Sequence, residues 1–363
     1  MRIKAAIVKE PDGAFLIEEL ELDKPQPGEL LVRLEAVGIC ATDAAARAQH
    51  VPTPLPAVLG HEGAGIVEAI GAGVSGFALG DRICLTFSSC GSCEFCLDAK
   101  PWRCEQSGRL NFGGACLDGS HRLHYGDSEV SAFFGQGSFA THAVVNFLSA
   151  VRVGNDVPPE VAAPLGCGVQ TGAGTILNVL KVTPGTSISV IGMGTVGMSA
   201  VMAARLAGAR PIIAVGGNAK TLELAAELGA THAINRRETA DIAAAIRMIT
   251  DKGTHFTLDS SGNAALITAA LHGLRPNGTL ALVAPCEDLH LDVFSDLIDY
   301  TRRIVGVMEG ASNPKLFIPL LLDYYKAGLL PLDRIITTYP FEDIEQAFVD
   351  SQEGNVIKAV LKM

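Results

Sequence analysis

The stretch "CGSCEFCLDAKPWRC" spaces Cys90, Cys93, Cys96 and Cys104 as C-x2-C-x2-C-x7-C. Four thiols so close together either pair as disulfides or hold a metal. The chain carries nine cysteines, an odd number. It opens on "MRIKAAIVKEPDGAF", which meets charge at once and has no apolar signal-peptide core. A cytoplasmic, thiol-reducing setting is therefore expected, and there a tight cysteine cluster is more often a metal site than a disulfide knot. Four thiolates without histidine suit a closed tetrahedral zinc site, with an iron–sulfur cluster as the alternative. A closed site offers nothing to a substrate, so the chemistry is expected elsewhere.

A second set of ligand types is scattered. "GICATD" offers Cys40, Thr42 and Asp43, "LGHEGAG" offers His61 and Glu62, and "LGCGVQTG" offers Cys167. One histidine, two cysteines and a water would make an open, catalytic zinc site. A third motif, "VIGMGTVG", sets Gly192, Gly194 and Gly197 as G-x-G-x-x-G between a strand and the helix opened by Thr195 and Val196. Those glycines permit a tight turn, close pyrophosphate approach and close helix packing. NAD sites place an acid at the end of the next strand for the ribose hydroxyls. Here "IIAV" runs into Gly216, Gly217 and Asn218 with no carboxylate. A 2′-phosphate meets no repulsion there, and Lys220, Arg236 and Arg237 are candidate cations for it. NADP is the favoured cofactor and NAD the alternative.

These residues need two kinds of scaffold. A chain of 363 residues is too long for one ordinary core. Residues 1–160 carry short alternating runs broken by Gly, Pro and Asp, which predict an irregular β-barrel-like domain. Within it, 108–137 reads as a long Gly-rich surface loop. The segment "VPPEVAAPLGCGVQTGAGTILNVL" has helical spacing with proline at its start. Six strands then alternate with helices, predicting a doubly wound parallel sheet, an α/β fold, over 161–309. Residues 310–363 add two helices and a strand that return to the first domain. The net charge of −11 argues against nucleic acid or an anionic membrane as partner, and no run of 18 apolar residues predicts a membrane span.

Taken together, "GICATD", "GHEGAG", "GDRI", the cysteine loop, "GCGVQTG" and "GMGTVG" resemble the zinc-dependent medium-chain alcohol dehydrogenases over the full length. "LTFSSCGSCEFC" and "FFGQGSFATHAVV" resemble the bacterial aryl- or benzyl-alcohol dehydrogenases. The resemblance implies a GroES-like catalytic domain beside a Rossmann domain, two zinc ions per chain, and a homo-oligomer, dimer or tetramer. It implies catalytic zinc on Cys40, His61 and Cys167, with Glu62 behind the metal, Asp43 orienting His61 and Thr42 taking the alcohol proton. Thr171 and Val196 are implied against the nicotinamide and Lys358 near the pyrophosphate. Phe87, Phe133, Phe134 and Met308 are implied as substrate pocket, for a small aromatic or allylic alcohol or aldehyde. Three positions depart from the pattern: Ala45 replaces the histidine that ends the proton relay, Ala41 a basic residue, and Gly216 the ribose acid. Two rivals stand beside this reading. One is a glutathione-dependent formaldehyde dehydrogenase using Arg109, and the other a non-enzymatic dinucleotide-binding protein.

Overall fold

The computed structural model describes residues 1–363. The chain forms two units, one of residues 1–167, 313–322 and 333–363, the other of residues 168–312 and 323–332. The break follows Cys167, past the expected 160/161 boundary.

In the first unit, Arg2–Val8, Leu16–Leu22, Leu123–Tyr125, Ser128–Ala132 and Ala57–Val58 close into a small barrel. A second sheet runs in the order Ala150–Arg152, Arg82–Leu85, Glu62–Ile70, Glu29–Gly38, Lys358–Lys362 and Ile336–Pro340, with His142–Asn146 also paired to Glu29–Gly38. The period-2 pattern of "ELLVRLEAVG" explains the central strand, because Leu30, Val32, Leu34 and Ala36 all enter the core. Residues 108–137 are not one loop. They contain the end of the helix Ser107–Phe112 and the two strands Leu123–Tyr125 and Ser128–Ala132 that close the barrel. "LHY" and "SEVSA" are too short and too polar to announce themselves, and only their pairing partners make them strands.

The second unit is a six-stranded parallel sheet. Its order is His232–Asn235, Ile212–Gly216, Ile188–Ile191, Thr254–Asp259, Leu274–Leu282 and Arg303–Gly306. This 3-2-1-4-5-6 order is the doubly wound dinucleotide-binding arrangement. Ile188–Ile191 and Ile212–Gly216 are buried at every residue, as strands covered on both faces must be.

Glycine decides one close approach in the first unit. A Cβ on Gly38 would lie 2.1 Å from Glu62 Oε2. Gly38→Ala is expected to lose about 1–3 kcal/mol in urea unfolding, the scale of overpacking. Gly108→Ala, where a Cβ meets nothing within 4 Å, should stay within about 0.5 kcal/mol of the parent.

Candidate active site and metal centres

Strand register assembles the site. Gly38 and Glu62 are paired residues of two antiparallel strands. Cys40, just past the end of one strand, is thereby brought beside His61, just before the start of the other. The helix Ala41–Arg47 starts immediately after Cys40 and carries Asp43 in its first turn. Asp43 is fully buried, and its Oδ2 accepts from Cys40 N at 3.0 Å. Its Oδ1 accepts from Gly60 N at 3.1 Å and meets His61 Nδ1 at 2.9 Å. That bond commits Nδ1 as donor and turns the Nε2 lone pair inward.

Cys167 arrives by a broken helix. The helical turns Pro159–Ala162 and Ala163–Gly166 stop at Cys167, whose φ/ψ of −143°/−82° departs from helix, and Gly168–Gly174 resumes it. The continuous spacing of the sequence concealed this break, which separates the thiol from both helical segments. Cys40, His61, Glu62 and Cys167 then offer ligand atoms within 4.8 Å of one another. His61 Nε2 is buried without a hydrogen-bond partner. An orphaned imidazole nitrogen beside two thiols fits tetrahedral zinc, with the carboxylate as an alternate donor. The contact with Cys167 holds the Cys40 thiol well below its usual range against the opposing effect of burial, and His61 adds to the lowering. Thr42 Oγ1 lies 3.6 Å from Cys40 Sγ.

Behind this group, burial raises the Glu62 carboxyl to about 7 although Lys358 opposes the shift. Lys358, expected near a pyrophosphate, is itself buried and donates to Glu62 Oε2 at 2.8 Å and to the Ile39 carbonyl at 2.7 Å. Sequence reasoning missed that its charge is the partner of Glu62. It missed Gln136 as well, whose amide donates to the His61 and Thr86 carbonyls at 3.0 and 2.8 Å. A glutamine set between two glycines in "FFGQGSF" was the available signal.

The expected aromatic residues divide. The Phe134 ring stacks on His61 at 4.4 Å and Phe133 meets the same imidazole edge-on at 5.6 Å. Phe134 holds a left-handed φ of 56°, a conformation a bulky residue keeps only when its surroundings impose it. Phe87 instead lines a cavity of about 190 Å³ with Ser89, Cys96, Pro101 and Lys315, beside the cysteine loop. Side chains alternate in extended chain, so it is Thr86 that turns the other way, donating to the Gly166 carbonyl at 2.7 Å. Met308 belongs to the second unit and is 56% exposed. Arg109 donates to Gln106 Oε1 and to the Leu117 and Cys116 carbonyls, which makes it a clasp for that loop.

Cys90, Cys93, Cys96 and Cys104 also converge, with ligand atoms within 4.8 Å of one another. Cys90 and Cys96 sulfurs are 3.9 Å apart, far beyond the ~2.05 Å of a disulfide. Burial pushes the Cys90 thiol up, but amide donors from Ser92 and Cys93 outweigh it and bring it down to about 6. Burial pushes the Cys96 and Cys104 thiols up instead, so a bound cation would be what holds all four as thiolates, and four converging sulfurs fit a closed zinc site.

In the second unit, Gly192 has φ of +92° and a Cβ there would strike Ser260 Oγ at 2.6 Å. A Cβ on Gly197 would lie 1.8 Å from the Gly192 carbonyl, whereas Gly194, the N-cap of Thr195–Leu206, faces open space. The turn is therefore tight, closely packed and open at the helix N-terminus, as a pyrophosphate requires. A Cβ on Gly216 would be 3.1 Å from Met193. Beside Gly217, Arg236 Nε and Arg237 Nε lie 3.0 and 3.2 Å from where a Cβ would stand. Asn218 caps the next helix through Lys220 N, and the Lys220 side chain is exposed.

Asp43→Asn is expected to cost about 10–100-fold in zinc affinity, the usual penalty for losing a ligand's carboxylate partner. Chelator competition followed by metal analysis measures it. Cys93→Ser, which removes one of four converging thiols that would hold a zinc, should lower the melting temperature, whereas Cys40→Ser should leave the fold near parental stability.

Residues 26–155 match the alcohol dehydrogenase GroES-like domain, and residues 195–323 match the zinc-binding dehydrogenase family. The chain is 41% identical to a geraniol dehydrogenase of Castellaniella defragrans over 99% of this chain and 97% of that protein. Among solved structures it is similar to an alcohol dehydrogenase zinc-binding domain protein from Burkholderia ambifaria, at 42% identity and a TM-score of 0.97 over 100% and 99% of the two chains. It is similar also to benzyl alcohol dehydrogenase from Acinetobacter calcoaceticus, at 41% identity and a TM-score of 0.96 over the same shares. With its buried histidine nitrogen aimed at two thiols and a glycine turn open at a helix N-terminus, the chain belongs to the zinc-dependent medium-chain alcohol dehydrogenases.

Proposed function

We propose that this enzyme interconverts aromatic or allylic primary alcohols and their aldehydes, with NADP(H) preferred and two zinc ions per chain. The observation that carries the substrate reading is the Phe134 ring stacked at 4.4 Å on His61, with Phe133 edge-on to the same ring. Aromatic rings beside the reacting group favour flat, unsaturated substrates in offset or edge-to-face contact, by about 0.5–1.5 kcal/mol per pair beyond area burial. The relatives named for geraniol and for benzyl alcohol support the same class. The pocket wall proposed here is Phe134, with Phe133 packed edge-on behind it and fully buried, while Phe87 lines the cavity beside the cysteine loop.

Zinc held by Cys40, His61 and Cys167 would supply a Lewis acid to the substrate oxygen, and the nicotinamide would supply the hydride acceptor. Asp43 fixes the His61 tautomer and so keeps Nε2 available as a ligand. Thr42 Oγ1 takes the alcohol proton. Ala45 cannot pass that proton on, and the His50 side chain is exposed. A ribose hydroxyl of the bound cofactor, together with water, would be the group left to receive the proton from Thr42 Oγ1. Phe133 and Phe134 exclude water from the histidine side.

The NADP preference rests on two features. Gly216 offers no carboxylate to repel a 2′-phosphate, and the guanidinium groups of Arg236 and Arg237 lie beside Gly217. Strand pairing of Gly216 with Asn235 puts the two guanidinium groups there. The glutathione rival is disfavoured because Arg109 is occupied by loop carbonyls.

Benzyl alcohol and geraniol should exceed ethanol by about 10²-fold or more in kcat/KM, since each buried carbon adds on the order of 0.8 kcal/mol. Phe134→Ala should shrink that ratio, and ethanol turned over as efficiently as benzyl alcohol would sink the substrate assignment. Thr42→Ala should cost roughly 10²–10⁴-fold in rate, with His50→Ala near parental. Joint Arg236→Ala/Arg237→Ala should lower kcat/KM for NADP by roughly 10–100-fold, the worth of charged hydrogen bonds to phosphate, and leave NAD nearly unchanged. A tenfold preference of the parent enzyme for NAD would refute the cofactor assignment.

A further inference from the structure

A buried carboxylate in the second unit takes no part in the chemistry above. Glu309 follows the last strand of the parallel sheet, Arg303–Gly306, at the carboxyl edge where the glycine turn also lies. Its Oε2 accepts from Gln170 Nε2 at 3.2 Å and from Thr171 Oγ1 at 3.4 Å. Ser312 Oγ completes the group, 2.8 Å from both Gln170 Oε1 and the Glu309 carbonyl. The backbone here is held in the left-handed region over three consecutive residues, Glu309, Gly310 and Ala311, at φ of 49°, 62° and 47°. Two of these three are not glycine, so tertiary contacts must impose the conformation.

Those contacts are with one helix. A Cβ on Gly310 would lie 2.3 Å from the Gln170 carbonyl and 2.8 Å from Gly174 Cα, so the segment is pressed directly onto Gly168–Gly174. Asn178 Nδ2 donates to the Gly310 carbonyl at 3.1 Å. The helix is in turn pressed onto the glycine motif, because a Cβ on Gly172 would lie 2.1 Å from the Val196 carbonyl. A chain of contacts thus runs from the Glu309 carboxylate, through Gln170 and Thr171, to the first turn of the dinucleotide helix.

We propose that Glu309 is a positioning residue of the dinucleotide site, keying the helix Gly168–Gly174 so that Thr171 and the turn at Gly194–Val196 are presented in one arrangement. The proposal rests on the reading that this unit binds a nicotinamide dinucleotide. The carboxylate suits the task because both partners are donors. Both donate to the same oxygen, so an amide at 309 keeps that acceptor but loses the charge that strengthens the two bonds, and alanine would leave both donors without it.

Calorimetric titration of NADP⁺ and NAD⁺ into the full-length zinc enzyme tests it, with the parent, Glu309→Gln and Glu309→Ala compared alongside melting temperatures. Glu309→Ala should raise Kd for both dinucleotides about 5–50-fold, and Glu309→Gln should raise it less. KM for the cofactor should rise with Kd, and KM for the alcohol should not. The exchanged pair Gln170→Glu/Glu309→Gln restores one donor facing one carboxylate and should recover most of the affinity. Lowered melting temperatures with Kd within twofold of the parent would show a merely structural role and overturn the proposal, and Glu309→Gln, which keeps the side-chain shape, decides this if the alanine variant fails to fold. A parent enzyme that binds neither dinucleotide would overturn the dehydrogenase reading and this proposal with it.

Discussion

Asp43 is buried without access to water, and its two oxygens serve three groups: Cys40 N, Gly60 N and His61 Nδ1. One side chain therefore sets the start of a helix, the turn before a strand and the orientation of the His61 imidazole. A buried carboxylate is tolerable only when its lone pairs are occupied. The same bonds that meet this requirement point His61 Nε2 inward with no protein partner. The ligand group is in this sense preorganised by the cost of burying an acid.

A second buried charge pair backs the first. Glu62 and Lys358 meet at 2.8 Å with their side chains at most 2% exposed. Such a pair adds little net stability over apolar residues of the same size, yet losing one partner strands the other charge at about 3–5 kcal/mol. The pair joins the strand after His61 to the last strand of the chain, and Gly38 leaves it the necessary room. The C-terminal strand is thus tied to the metal site by electrostatics as well as by its ladder.

The second unit solves a different problem by removing side chains. Gly192, Gly194 and Gly197 let a strand, a turn and a helix approach where any Cβ would collide or obstruct a phosphate. Gly217 extends the device, since its missing side chain lets two arginines lie over the strand end. The strand end thus carries no side chain at 216 or 217, and the residues that follow the neighbouring strand, Arg236 and Arg237, fill the space beside it.

Much of this was legible in the chain alone. Cysteine spacing, the glycine motif with its flanking strand and helix, and the period of the apolar residues are local patterns, and local patterns survive without tertiary contacts. They pointed to the two groups of cysteine, histidine and glutamate side chains that converge, to the parallel sheet and to the absence of an acid at 216–218. Other features depended on partners remote in sequence. "LHY" and "SEVSA" become strands only because a barrel has edges to close. Cys167 interrupts a helix whose spacing runs straight through it. Phe87 and Phe133 look alike as aromatic residues, and only the alternation of the folded strand end separates one from the other. Lys358 and Glu62 stand 296 residues apart. A buried ion pair of that span leaves no mark on composition or periodicity, because its energy exists only after the surrounding core has excluded water.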